Sequence, residues 1–413
     1  MASPHHPATM EKLPGDVLTN IFIRLLAKQL AQMKCVSKSL NAFISEPAFV
    51  KSHLQHSTQN NDGVLLVFYD LFSFGNEHSR FTAHPSRLPH LQVSDFIKPP
   101  VSPQCILTCD YRVIGSVNGL VCFSHNSPND SVIHIWNPSL SAVSTLPQCS
   151  TPFYSSTGSI EAFLGFGFDP EIDDYKVVKL TCYLRPPNND SQLAIFFGNL
   201  THVAKEWLQT EVYSMRKGFW EVIPEKPSSN ITRIRDQDKV FVDGHHGYLH
   251  WLGYIDEERN AQRILAFDLG AETFSEIPLP SSLVDYNMHP SYLNVLGVLS
   301  KKLCLMRCGG DGACEVWVMD EYGVAESWVK QHVFSLFNGI GPIGFTLQNE
   351  FLFEAYNTRL VMYDPVEAKC KSFKIMARIC GNVKVVEYVD SLVWVAAPFE
   401  HEISCSISEL SIF

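Results

Sequence analysis

The sequence predicts a small all-α module followed by a large all-β domain folded as a β-propeller. Three observations carry that expectation. Apolar residues recur at helical spacing from Met10 to His56 and rarely after it. From Val64 onward, short apolar runs alternate with turn signals such as Asn118-Gly119, Asn137-Pro138, Asp169-Pro170 and Asp364-Pro365. Several of these runs also repeat in outline at the spacing of propeller blades.

Composition narrows the field. Of 413 residues, 46% are hydrophobic and 18% charged, enough apolar material for a sizeable core and too much for a disordered chain. With 27 Phe against 9 Met, the balance leans toward strands. A formal net charge of -11 argues against a general nucleic-acid binder, which needs a basic surface. No run approaches the roughly 18 uninterrupted apolar residues of a membrane span. Met1-Ala2-Ser3-Pro4-His5-His6-Pro7 lacks the basic-then-apolar order of a secretory signal. The 12 Cys include no Cys-x-x-Cys and read as free, mostly buried thiols of a reducing compartment, the cytoplasm or nucleus. Asn-x-Ser/Thr sites at Asn129, Asn189, Asn199 and Asn230 are then chance matches.

Leu13-Pro14-Gly15-Asp16 reads as the start of a first helix. Pro14 pre-sets its backbone angle, and Asp16 complements the dipole. Val17, Leu18, Ile21, Phe22 and Leu25 then form one apolar stripe. A second helix fits Lys28 to Met33, with Leu30 and Met33 inward. A third fits Cys35 to Ile44, with Val36, Leu40, Phe43 and Ile44 inward. Pro47 opens a short fourth helix carrying Phe49, Val50 and Leu54. So small a core is marginal and calls for a neighbour or partner. Up to His56, the bases Lys12, Arg24, Lys28, Lys34, Lys38 and Lys51 outnumber Glu11, Asp16 and Glu46, giving +3 and leaving -14 for the rest. Such a face is either simply solvated or a dock for an acidic protein. DNA is a poor fit, because Val36-Ser37-Lys38-Ser39-Leu40-Asn41 offers little to base edges.

The run Leu13-Pro14-Gly15-Asp16-Val17-Leu18, Ile21-Phe22, Arg24-Leu25, Lys28, Leu30 and Lys34-Cys35-Val36-Ser37-Lys38 resembles the F-box. The following Phe43-Ile44-Ser45-Glu46-Pro47-Ala48-Phe49-Val50 is similar to the tail of plant F-box proteins. The resemblance implies a module, residues 8–56, that docks on the adaptor Skp1 (ASK in plants) and through it joins cullin and RING subunits in an SCF ubiquitin ligase. Carried over by position, the Skp1-binding residues are Leu13, Pro14, Asp16, Ile21, Leu25, Val36 and Lys38. Two positions depart from the family pattern: Leu26 stands where Pro is common, and Leu40 where Trp is common. Leu26 gives up a rigid turn, and Leu40 gives up aromatic area.

Residues 57–112 read as a linker with the first β-strands, and residues 113–413 as the propeller. Pro85, Pro89, Pro99, Pro100 and Pro103 favour loop in the linker. Within the propeller, one strand pairs with a second that ends in Asn or Asp, and a more polar third closes the sheet. Gly119–Phe123, Ile133–Pro138 and Leu146-Pro147 make one such block. His246–Trp251, Ile264–Leu269 and Phe274–Pro278 make another. Lys302–Met306, Val316–Asp320 and Trp328–Lys330 follow, then Glu350–Glu354, Leu360–Pro365 and Cys370–Phe373. Asp268, Asp320 and Asp364 mark equivalent turns, 52 and 44 residues apart. A divergent block from Gly165 to Ser214 holds a long insertion. A strand within 64–72 would close the ring with the last piece of chain, Val385 to Ala397 and Ser406 to Phe413. The count is six blades, or seven if 64–112 adds another. An open β-sandwich pair is the competing architecture. Gly115-Ser116-Val117-Asn118-Gly119-Leu120-Val121, Trp136-Asn137-Pro138 and Gly165-Phe166-Gly167-Phe168-Asp169 with Asp174–Val178 look like the plant F-box-associated, kelch-like region, a family that includes S-locus F-box proteins.

No catalytic set emerges. Gly-x-Ser-x-Gly, His-Glu-x-x-His and Walker-type patterns are missing. Gly309-Gly310-Asp311-Gly312 reads as a hairpin turn. Asp169, Glu171, Asp173 and Asp174 read as a solvated turn, without the spacing of a calcium loop. His245 and His246 are adjacent, so on a strand they point to opposite faces and make a poor ligand pair. Trp251 and Trp317 read as core between blades. The expectation is a non-catalytic adaptor with no cofactor or metal. Its F-box binds Skp1, its propeller holds an unidentified protein for ubiquitination and proteasomal degradation, and nucleic acid and membrane play no part. The loops at 183–207 and 226–238 are its candidate substrate contacts. The alternatives are a small-molecule-binding or enzymatic propeller, and a Skp1-binding protein acting outside a ligase.

Overall fold

Four helices lead the chain: α1 (Gly15–Phe22), α2 (Ala27–Lys34), α3 (Lys38–Ile44) and α4 (Pro47–Gln59). The computed structural model describes residues 14–60, 64–69, 81–85, 110–127, 130–151, 160–185, 203–234, 247–255, 262–284, 293–336, 338–355, 359–374 and 383–395. Two helical expectations need correction. α3 starts at Lys38, not Cys35, because Ser37 is extended and its Oγ accepts the Leu40 N–H at 3.1 Å, a side-chain cap that sets the boundary. Val36 therefore lies in the turn before the cap and faces out rather than inward. α4 is also longer than expected, at 13 residues.

Among the described residues the β domain holds five four-stranded blades. The strands β1 (Val64–Tyr69) and β2 (Phe81–Pro85) precede them. Blade 1 is β3 (Asp110–Val117), β4 (Leu120–Ser127), β5 (Asp130–Asn137) and β6 (Ala142–Thr145). Blade 2 is β7 (Ile160–Asp169), β8 (Asp174–Arg185), β9 (Val203–Ser214) and β10 (Phe219–Ile223). Blade 3 is β11 (Arg233–Ile234), β12 (Tyr248–Tyr254), β13 (Gln262–Asp268) and β14 (Thr273–Pro278). Blade 4 is β15 (Leu293–Leu299), β16 (Lys302–Cys308), β17 (Ala313–Met319) and β18 (Trp328–Ser335). Blade 5 is β19 (Ile340–Phe345), β20 (Phe351–Ala355), β21 (Arg359–Asp364) and β22 (Lys369–Lys374), and β23 (Val383–Tyr388) follows.

Five blades replace the six, or seven, expected. The strands counted toward a further blade form a three-stranded sheet instead, in the order β2-β1-β23. In it β1 runs antiparallel to β23, with Val64 opposite Tyr388 and Tyr69 opposite Val383, so the start of the β domain is tied to its end. Each regular repeat seen in the sequence starts at the second strand of a blade, whereas the divergent block from Gly165 to Ser214 holds the first three strands of blade 2. The inner first strand completes each regular repeat.

The core lies between blades. Ile135, Phe166 and Val177 pack between blades 1 and 2, and Val178, Trp251 and Phe267 between blades 2 and 3. Leu252, Ala266 and Leu305 fill the next interface, and Met306, Val316 and Phe353 the one after it. Trp251 is buried as expected, and its rings lie against Gly165, where a Cβ would meet them at 2.7 Å. Asp268 Oδ1 accepts the N–H groups of Gly270 and Ala271, and Asp364 Oδ1 those of Val366 and Glu367, which is why third strands end on such residues.

The turns joining first to second strands share one end of the ring. There the Ser300 N–H donates to Asn349 Oδ1 at 2.6 Å, and Gly247 packs on Pro170. The helices sit on this end, with Leu140 against their core. Strand alternation puts the end of β8, the start of β9 and the β10–β11 connection at the opposite end, where Ala204 donates to the Thr232 carbonyl at 2.7 Å and the Trp207 indole to that of Ile231 at 3.1 Å. The two loops expected over 183–207 and 226–238 are in part strand: β8 runs to Arg185, β9 starts at Val203, and β11 is an inner strand, while residues 186–202 and 235–238 lie outside the described residues.

The expectation of uniformly free thiols also needs correction. Cys308 and Cys314 stand directly opposite each other on β16 and β17, with Cα atoms 4.2 Å apart, and are joined as a disulfide. Cys35, Cys122, Cys149, Cys182, Cys304 and Cys370 are free.

Candidate docking site and its seat

α1 divides its apolar residues between two faces. Phe22 is fully buried, with Leu18 and Leu25 packed beside it. Val17 and Ile21, one turn apart, are 39% and 46% exposed. Leu26 is 59% exposed at the α1–α2 corner and Val36 75% exposed at the α2–α3 turn. Pro14, Asp16 and Lys38 are exposed as well, and Leu25 is half-buried. Leu13 lies outside the described residues. Of the site residues carried over from the resemblance, Pro14, Asp16, Ile21, Val36 and Lys38 are thus open to a partner, while Leu25 supports them from the core. Sequence periodicity missed Val17 and Leu26, which read as interior or as a lost turn. Their exposure follows from where the helices start and stop. Lys38 opens α3, where the helix dipole disfavours a cation, so that helix gains nothing from its charge.

The interior of the module holds Phe22, Ala27, Leu30, Ile44 and Phe49. Phe43 bridges Phe22 edge-on at 5.9 Å and Phe49 at 5.0 Å. Buried His53 donates from Nε2 to the Leu25 carbonyl at 2.9 Å. Leu40 is partly buried against the same core, so it keeps the packing though not the ring expected there.

One further member of this core comes from the far end of the chain. Leu392 is buried in it, and Asp390 Oδ2 accepts the Ala27 N–H at 2.7 Å. Asn137, the residue before Pro138 in the sequence motif, is fully buried, and its Nδ2 donates to the carbonyls of Ser391 and Val393 at 3.0 and 2.7 Å. Ser139 Oγ lies 2.6 Å from the Tyr388 hydroxyl and accepts the Ser391 N–H at 2.9 Å. That hydroxyl in turn donates to Asp390 Oδ1 at 3.2 Å. Burial, with the charge of Asp390, pushes the Tyr388 pKa up and keeps the hydroxyl a donor. Gly119 has φ +81°, and a Cβ there would meet the Val389 carbonyl oxygen at 2.4 Å, so only glycine lets the segment pass so close.

The polar clusters elsewhere have structural partners. Lys176 pairs with Asp169 at 3.2 Å and Glu272 at 3.1 Å, while Asp174 accepts from Ser214 and from the Arg216 N–H. The solvated turn expected over this acidic run therefore holds for Glu171 and Asp173, which are exposed, but not for Asp169 and Asp174, which are buried on these partners. Lys179 and Glu211 pair at 3.2 Å with neither exposed, and Glu211 also accepts from Ser150 and Thr151. Burial raises the Glu211 pKa, but the Thr151 and Ser150 hydroxyls, Lys179 and the Ser150 amide outweigh it, and the net shift is down. Beside this pair, burial pushes the Cys149 thiol up despite Lys179, which is the wrong direction for an activated nucleophile. Gly309–Gly312 is the β16–β17 turn, with Gly312 at φ +84°. His245 and His246 lie outside the described residues. Among the described residues no three His, Cys, Asp or Glu side chains group as metal ligands, and no helix is long and apolar enough to cross a membrane. A cleft between β19, β23 and the Gly119 turn measures ≈ 150 Å³, small beside the roughly 300 Å³ and above of ordinary ligand pockets.

The chain matches two family models: an F-box domain over residues 10–52 and an F-box associated beta propeller domain over residues 71–379. It is 28% identical to the F-box protein CPR1 of Arabidopsis thaliana over 387 residues, covering 89% of this chain and 85% of that one. An F-box/kelch-repeat protein of the same plant is 26% identical, with 80% of each chain covered. Among solved structures, TolB from Acinetobacter baumannii aligns with 83% of this chain and 73% of its own at a TM-score of 0.43 and 10% identity, too loose a likeness to bear on function.

Proposed function

Since the chain belongs to the family of F-box proteins with an F-box associated beta propeller domain, we propose that it is the substrate-recognition subunit of an SCF ubiquitin ligase. The observation that supports this most directly is the set of apolar side chains left open on a small basic module: Val17, Ile21, Leu26 and Val36. Pro14, Asp16 and Lys38 are exposed on the same module, and Skp1 (ASK) is the partner that covers this surface, with Leu13 assigned to it by the resemblance alone. Cullin and RING subunits follow through Skp1. The end of the propeller opposite the helices, with the end of β8, the start of β9 and the β10–β11 connection, holds the target protein. The propeller side's charge of -14 favours a basic or mixed-charge target. Ubiquitin transfer is a proximity effect: the adaptor raises the effective concentration of target lysines near a charged conjugating enzyme and does no chemistry itself. The protein works in cytoplasm or nucleus, where that machinery operates.

The test is binding of the full chain to purified Skp1 by calorimetry, beside an Ile21→Asp, Val36→Asp double variant. Both side chains are exposed, so the fold is retained. Loss of two apolar interface anchors is expected to weaken binding by about 100-fold. Wild-type binding that the variant leaves unchanged would move the dock elsewhere, and a folded wild type that does not bind would refute the adaptor role.

A further inference from the structure

We propose that Tyr388–Leu392 is a latch that fixes the angle of the helical module against the propeller, with Asp390 and Leu392 as positioning residues for ubiquitin transfer. The inference rests on the adaptor reading for its purpose, but not for its geometry.

Three features build the latch. First, α2 begins with only half a cap of its own: Gln29 Oε1 accepts the Leu26 N–H at 3.1 Å, but no local side chain accepts from the first helical N–H groups. Leu26 has no side-chain acceptor, and the first turn carries no acid. The other half comes from Asp390, 363 residues away, whose Oδ2 takes the Ala27 N–H at 2.7 Å and sets a negative charge on the helix N-terminus. Second, Leu392 enters the same apolar cluster as Phe22, Ala27, Leu30, Ile44 and Phe49, so a residue of the β domain completes the interior of the module.

Third, the segment is itself held by blade 1. Asn137 donates to the carbonyls on both sides of Leu392, and Ser139 binds the Ser391 N–H and the Tyr388 hydroxyl. Tyr388 holds the other carboxylate oxygen of Asp390 at 3.2 Å. An unbroken chain of bonded groups therefore runs from Ser139 through Tyr388 and Asp390 to the backbone of α2. Both oxygens of Asp390 are engaged, one by each body.

The consequence is geometric. The adaptor acts by holding a target at a set place relative to Skp1, and a tilt at the module is magnified across the width of the propeller. The exposed residues assigned to Skp1 are other than those that touch the latch, so its loss should change angle more than affinity.

Spin labels on the exposed thiols Cys35, in the module, and Cys370, on β22, report that angle in the full chain. Cys105, Cys109, Cys149, Cys380 and Cys405 are replaced by serine for this purpose. Pulsed dipolar spectroscopy is expected to give a narrow distance distribution for the wild type. For Asp390→Ala, Leu392→Ala it should be at least about twofold broader, with helicity kept and Skp1 affinity within about threefold. Asp390→Asn, which keeps an acceptor, should restore most of the width. An unchanged width in the double variant would overturn the latch. So would lost helicity or lost Skp1 binding in Asp390→Ala alone, which would mean that the segment merely supports the module's fold. A wild type that fails to bind Skp1 but shows the Asp390-dependent broadening would refute the adaptor reading and leave the geometry of the latch standing.

Discussion

Lys179 and Glu211 face each other at 3.2 Å with no exposed surface, walled by Ser150 and Thr151. Removing one member of such a pair leaves the other charged and buried. Lys179→Met is therefore expected to cost about 3–5 kcal/mol in urea unfolding, whereas removing both charges with apolar residues of similar volume should cost far less. The pair also has a pH signature. The folded pKa of Glu211 lies below its ordinary value, so the stability it contributes is full above the ordinary carboxylate range. It is lost as the pH falls through the lower folded value. Urea midpoints measured from neutral pH into the acid range should fall more steeply for the wild type than for the double replacement. Nothing in the local sequence announces this pair. Lys179 and Glu211 stand directly opposite each other on β8 and β9, and only the place of these strands in the middle of a blade buries them.

At the scale of elements, Leu26 is the telling position. Its φ of -65° and ψ of 145° are angles that proline prefers, so the local backbone keeps the turn although the residue has changed. Leu26→Pro gives up one exposed hydrogen bond, from its N–H to Gln29 Oε1, and restricts the unfolded chain. The expected result is unchanged stability or a gain of up to about 1 kcal/mol, read by thermal unfolding. A clear loss would show that the Gln29 bond matters more than backbone restriction. The same scale explains what could be read in advance. Second and third strands were legible because apolar runs end in an Asn or Asp that closes the turn, as Asp268 and Asp364 do. Of the first strands, that of blade 2 was legible, since Gly165–Asp169 opened the divergent block. Those of blades 4 and 5 line the ring axis and carry Gly297, Gly341 and Gly344, which interrupt any apolar pattern and mimic loop. The proposed docking residues rest on their resemblance to the F-box and not on periodicity. Periodicity alone put Val36 inside, because it cannot see that Ser37 starts the helix. Asp390 and Leu392 had no local signal at all, since their partners lie at the other end of the chain.

At the scale of the whole molecule, the sheet β2-β1-β23 joins the ring to itself. A fragment starting at residue 71, where the propeller family match begins, lacks β1 and leaves β23 without its antiparallel partner. Its melting temperature is expected to fall by on the order of 5 °C or more relative to a fragment starting at residue 61, checked by scanning fluorimetry. Equal melting of the two would mean that β1 adds nothing to closure.

That splice also has a meaning for how the protein is made. Val64 and Tyr388 are neighbours in the finished sheet but 324 residues apart in the order of synthesis. At about 5–20 residues per second, the ribosome delivers the second strand roughly 15–65 s after the first. Throughout that interval the strand Val-Leu-Leu-Val-Phe-Tyr has β2 as its sole sheet partner, and the edge that will take β23 stays bare. Chaperone demand in the cell should therefore track translation speed between those two points, and slow codons placed there should cost soluble yield.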